Sequence, residues 1–99
     1  KIYLTKRLKE LSKLYQISYK SLTLNNPRTR WGSCSGAKDI RLNIALMNVP
    51  VNVSDYVITH ELCHVLQMNH SSEFWAEIEK RIPNYREIKR QLKRFSPYI

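Results

Sequence analysis

The 99-residue sequence predicts an α+β domain, in which a small antiparallel sheet packs on a histidine-bearing helix and further helices flank the two at either end. Three observations point there. Apolar residues recur at helical spacing near both ends of the chain, and two-residue alternation fills much of the stretch between. His60-Glu61-Leu62-Cys63-His64 then sets two histidines one helical turn apart.

Residues 2–15 carry Leu4, Leu8, Leu11 and Leu14, with Tyr15 adjoining, which predicts an amphipathic helix with a basic outer face. Gln16 to Leu24 alternates and reads as a strand, ended by a turn at Asn25-Asn26-Pro27. Thr29 to Ser35 reads as a second strand, closed by the turn Ser35-Gly36-Ala37-Lys38-Asp39. Ile40, Leu42 and Ile44 alternate with Arg41 and Asn43, a third strand that returns as a hairpin.

The histidine helix follows Val49-Pro50, with Asn52 or Ser54 as its expected N-cap and Asp55 in its first turn. Ile58, Leu62, Val65 and Leu66 form one apolar face and the histidines another, so the helix is expected to be buried on most sides. Ser71 or Ser72 caps a helix through Arg81, with Phe74, Trp75, Ile78 and Ile82 inward. Pro83-Asn84 breaks it. Tyr85, Ile88, Leu92 and Phe95 then make the inner stripe of a last helix, whose outer face bears Arg86, Lys89, Arg90, Lys93 and Arg94.

Length and 42% apolar content suit one domain spanning 1–99. The start without Met suggests the C-terminal part of a longer protein. No apolar run approaches the ~20 residues of a membrane span. Cys34 and Cys63, with no secretory signal, point to a reducing cytoplasm and to small buried side chains rather than a disulfide scaffold. The net charge of +9 is lopsided, for residues 1–50 carry ten Lys/Arg against only Glu10 and Asp39. Such a surface attracts polyanions, DNA included, although no aromatic-basic nucleic-acid motif accompanies it.

On one helix face His60 and His64 can reach a single cation. Two imidazoles, a third ligand and an open water position make a catalytic zinc site, with Glu61 placed to take a proton from water. His70 is the expected third ligand, with Glu73 and Glu77 as competitors. It can serve only if the helix stops first, since a continuing helix would carry His70 about 9 Å along the axis from His64 and some 120° round it. The pattern His-Glu-x-x-His-x-x-Gly-x-x-His turns at its glycine. Gln67 stands there in this chain, and Asn69, tolerant of a left-handed conformation, is the expected site of reversal.

Arg30-Trp31-Gly32-Ser33-Cys34-Ser35, Ile40-Arg41-Leu42-Asn43, His60-Glu61-Leu62-Cys63-His64 and Asn69-His70-Ser71 with Phe74-Trp75 succeed one another in the chain. Together they resemble the YgjP-like metallopeptidase domain family, related to the SprT-like and Wss-type zinc proteases. The resemblance runs from about Pro27 to Arg94. It implies a zincin-like fold, zinc held by His60, His64 and His70, and Glu61 as the catalytic residue. The expected activity is peptide-bond hydrolysis by a zinc-activated water with Glu61 as general base, on a peptide or protein substrate added as a strand along Trp31 to Cys34. Tyr56, Tyr85 and Asn69 are the candidate oxyanion stabilisers. Two alternatives stay open: a basic nucleic-acid-binding module whose structural zinc is closed by Cys34 or Cys63, and a zinc hydrolase of a phosphoanhydride.

Overall fold

In the computed structural model, which describes residues 2–95, the chain order is α1 (Ile2–Tyr15), β1 (Ser21–Asn25), β2 (Gly32–Cys34), β3 (Asp39–Asn43), a short 3-10 helix (Ile44–Asn48), α2 (Val51–Leu66), α3 (Ser72–Arg81) and α4 (Tyr85–Leu92). The α+β class and the four helices match the sequence expectation. Among the described residues no helix is long and apolar enough to cross a membrane.

α1 buries Leu4, Leu8 and Leu11, whereas Leu14 points into solvent at 72% exposure. Tyr15 completes the buried face instead, its hydroxyl 3.1 Å from Thr59 Oγ1 of α2. The expected strand from Gln16 starts five residues later, because Gln16 and Ile17 belong to the stop of α1. Gln16 is left-handed (φ 58), the Gln16 amide donates to Lys13 O, and the Ile17 amide donates to Ser12 O. That is the paired hydrogen bonding of a Schellman cap, with glutamine where glycine is usual. Ile17 then turns into the core at 3% exposure.

The sheet is mixed, which corrects the wholly antiparallel expectation. Its order is β1-β3-β2: β2 and β3 form the expected antiparallel hairpin, and β1 runs parallel to β3. Alternation marks strands without fixing their order. The order here depends on the segment 26–31, which carries the chain past the end of β3 to the opposite edge. Asn43, 1% exposed at that end, ties the segment down. Its side-chain amide donates to Pro27 O and Arg30 O, both at 2.9 Å, and its backbone amide donates to Trp31 O at 3.0 Å. Its remaining oxygen accepts from the Ala45 amide, which caps the 3-10 helix and takes Ile44 out of the strand. One buried asparagine thus sets both the end of β3 and the placement of Arg30-Trp31.

α2 is the central element, with Val53, Tyr56, Val57, Ile58, Leu62 and Cys63 all buried. A helix covered on nearly every side is held by packing more than by its ends. Accordingly neither Asn52 nor Ser54 caps it. Both lie inside the helix, where Ser54 Oγ donates back to Val51 O and Asn52 donates to the Gln91 side chain of α4. Asp55 lies beyond the first turn and accepts two hydrogen bonds from the Arg7 guanidinium, at 2.9 and 2.8 Å, which clamps α1 to α2. Of the expected apolar face, Ile58 and Leu62 are fully buried, while Leu66 at the helix end is 45% exposed. α3 is capped by Ser71, whose Oγ accepts from the Phe74 amide, and α4 buries Tyr85 and Ile88.

Candidate active site

α2 stops at Leu66 because the chain leaves it extended at Gln67 (φ −140, ψ 107). The Gln67 amide still donates to Cys63 O, and its carbonyl turns back to accept from His64 Nδ1 at 3.1 Å. Asn69 is therefore not the reversal point. Among the described residues only Gln16 and Lys38 have positive φ, so this exit requires neither glycine nor a left-handed residue. Five residues later α3 begins, and His70 is returned to the face of α2 that carries His60 and His64.

The three imidazoles meet. Their ligand atoms all lie within 4.8 Å of one another, and His64 Nε2 is 3.1 Å from His70 Nε2. Two nitrogens sharing one tetrahedral zinc at 2.0–2.1 Å stand about 3.3 Å apart, so this spacing fits a common ion. The tautomer fits as well. A carbonyl only accepts, so His64 Nδ1 bears the proton given to Gln67 O, and its Nε2 presents a lone pair. Burial also lowers the His64 pKa, which keeps the ring neutral and able to donate that lone pair at neutral pH.

Phe74 is the platform for all three rings. It is fully buried, stacks on His64 at 4.4 Å between centroids, and meets His60 and His70 edge-on at 5.0 and 5.1 Å. Trp75 stacks on His70 at 5.8 Å. Phe74→Ala is expected to cost about 3–5 kcal/mol of stability through the cavity it leaves, and to weaken metal retention along with it. Thermal melts with and without added zinc check this.

Glu61 is 5% exposed, and its Oε2 lies 3.3 Å from His60 Nδ1. Gly32 of the edge strand β2 lies directly against it. A Cβ at Gly32 would meet Arg41 O at 3.0 Å and Glu61 Cγ and Oε2 at 3.1 and 3.2 Å. The reason for glycine within Arg30-Trp31-Gly32-Ser33-Cys34 is thus the close approach of this strand to the carboxylate. The sequence singles out the motif, but only the tertiary contact reveals that role.

Two lobes of one cleft share Arg30, Gly32, His60, Glu61 and His70. The larger, about 400 Å³, is walled by Trp31, Tyr56, Val57, Trp75 and Leu92; the smaller, about 280 Å³, by Ser33, Cys34, His64 and Met68. Tyr56 alone of the three oxyanion candidates lines this cleft, and burial pushes its pKa up to about 12, so it remains a phenol at neutral pH. Tyr85 is buried in a stack on Trp75, 5.4 Å between centroids, and Asn69 is exposed.

The competing ligands are otherwise placed. Glu77 accepts from Arg81 Nη1 at 2.7 Å, and Glu73 is exposed at the start of α3. Cys63 is fully buried in the core, as expected of a small apolar side chain. Cys34 lies at the cleft with its thiol directed to Ser35 O, and burial and the charge of Glu61 push its pKa up to about 11, so it is a protonated thiol at neutral pH.

A family model for the YgjP-like metallopeptidase domain matches residues 1–95. The chain belongs to that family. The match takes in α1 and β1, beyond the Pro27–Arg94 span of the motifs. Two solved structures share its fold. The metallopeptidase zymogen of Pyrococcus abyssi, abylysin, superposes with a TM-score of 0.78 at 23% identity, over 90% of each chain. The metallopeptidase zymogen of Methanocaldococcus jannaschii, jannalysin, gives 0.78 at 21% identity over 92% of this chain and 94% of that one. No curated protein sequence matches the chain.

Proposed function

We propose that this YgjP-like metallopeptidase uses zinc held by His60, His64 and His70, and that Glu61 is the general base of peptide-bond hydrolysis. The observation that carries the reading is the convergence of three imidazole donors, two of them 3.1 Å apart, beside a buried carboxylate at the mouth of a cleft. When bound, zinc supplies a Lewis acid that acidifies water and polarises a carbonyl. Glu61 takes the proton from the attacking water and delivers it to the leaving amine. Its shielded position on α2, against Gly32 of β2, fixes the carboxylate for both transfers. Tyr56 donates its phenolic hydrogen toward the carbonyl oxygen as negative charge develops there. β2, which among the described residues pairs with β3 alone, offers an edge along which an extended peptide binds.

The placement of the cysteines favours an open site over a structural one. Cys63 is in the core, Cys34 Sγ is directed to Ser35 O, and the cluster of ligand atoms within 4.8 Å of one another consists of the three histidines with neither cysteine among them. DNA association through the +9 charge would be a separate property of the surface.

The test is digestion of casein by purified protein with zinc, with a chelator, and with zinc restored, alongside a panel of nucleoside triphosphates. Casein fragments should form, stop with the chelator and resume with zinc, while the nucleotides survive. Hydrolysed nucleotides beside intact casein would establish the phosphoanhydride alternative instead.

A further inference from the structure

The larger lobe of the cleft is a built side-chain pocket. Trp31, Tyr56, Val57, Trp75 and Leu92 give it apolar walls, its volume of about 400 Å³ exceeds what one small side chain fills, and Glu61 lies in its lining. Such a pocket favours an aromatic or large aliphatic group, whose apolar surface it removes from water. Its only other charged residues are Arg30 and Lys89.

Trp75 and Lys89 also line a second cavity of about 400 Å³, with Tyr85, Arg86, Arg90 and Lys93. Four of its six lining residues are cations and none is acidic. Two of these cations are held against rings: Lys89 Nζ is 4.6 Å from the Trp75 centroid, and Arg86 Cζ is 5.0 Å from that of Tyr85. These two rings stack on each other, 5.4 Å between centroids. The two cavities have Trp75 and Lys89 in common, so the cation-rich one adjoins the apolar lobe.

We infer that the cleft selects peptides carrying a large apolar side chain beside the scissile bond and acidic residues on one flank. The apolar lobe takes the side chain, and Arg86, Lys89, Arg90 and Lys93 take the acidic flank. This rests on the peptidase reading above and names its substrate class. Charge complementarity of this kind acts on encounter and register as much as on affinity, so it should weaken with salt.

The experiment uses three matched fluorescent peptides: phenylalanine with an Asp/Glu flank, the same peptide with a Lys flank, and the acidic peptide with alanine for phenylalanine. Turnover is measured with the wild-type protein, and binding with the Glu61→Gln protein. The acidic phenylalanine peptide should exceed each of the others by about tenfold in kcat/KM, the equivalent of one decade in binding. Reversing two exposed charges of the cation-rich cavity, Arg90→Glu with Lys93→Glu, should erase or invert the flank preference while retaining the preference for phenylalanine. Circular dichroism establishes that this variant is folded, and Arg90→Gln with Lys93→Gln should give an intermediate preference.

Equal turnover of all three peptides would overturn the inference and leave the peptidase reading standing. Selective binding without cleavage of any peptide or of casein would uphold the pocket and overturn the peptidase reading. A DNA duplex that displaces the acidic peptide at 150 mM salt, and binds the cation-rich cavity more tightly than it does, would overturn the inference by making the cations a polyanion surface.

Discussion

Glu61→Gln is expected to lower peptide hydrolysis by about 10²- to 10⁴-fold while metal content and melting temperature stay close to wild type. Glutamine has the shape of glutamate, and shape matters here because Gly32 leaves room for this side chain and little more. The amide cannot take a proton from water, so the chemical step is lost while the packing survives. The measurement is kcat on a cleaved peptide, paired with zinc analysis of the same preparation. Full turnover by the variant would remove Glu61 from the mechanism. Loss of zinc together with activity would give the carboxylate a ligand's role instead of a base's.

His64→Ala should abolish both metal binding and activity. His64 is the best-fixed of the three rings, held by Gln67 O on one side and by the Phe74 stack on another. Removing an outer partner of a metal ligand typically costs 10- to 100-fold in affinity, and removing the ligand itself should exceed that. Glu73→Gln and Glu77→Gln serve as controls and should keep their zinc, since Glu73 is exposed and Glu77 is engaged by Arg81. Zinc lost from either control, measured after dialysis without chelator, would show that a carboxylate takes part in the site.

The meeting of the three histidines in the candidate site is legible in the sequence because their spacing is itself a geometric statement. His60 and His64 must share a helix face, and His70 can join them only if the helix ends. What the sequence leaves open is how it ends. Asn69 is the locally permissive residue, yet the turn is made at Gln67 by an extended backbone and a carbonyl bonded to His64, a contact that depends on where the imidazole lies. The helices are likewise readable from period, and their errors fall at the ends. Leu14 continues the apolar spacing but lies one residue before the Schellman stop, where Tyr15 has the better reach to α2.

The sheet order was not legible for a different reason. Alternation in β1, β2 and β3 is compatible with a meander as well as with β1 crossing to pair with β3. The difference resides in the hydrogen bonds of Asn43 to Pro27, Arg30 and Trp31, which link residues 12 to 16 positions apart. The same long-range closeness explains Gly32, whose role appears only once β2 is laid against Glu61. Asp55 shows the converse. A carboxylate near a helix start suggests a dipole contact, but a guanidinium 48 residues away in sequence claims it.

X-ray absorption at the zinc edge, on protein loaded with one equivalent of zinc, reads the ligand set of the metal itself. Three imidazole nitrogens and one further light atom from solvent are expected, all at about 2.0–2.1 Å. A sulfur shell at about 2.3 Å would bring Cys34 into a closed structural site, and fewer than three imidazoles would remove His70; either result would contradict a catalytic centre built from His60, His64 and His70.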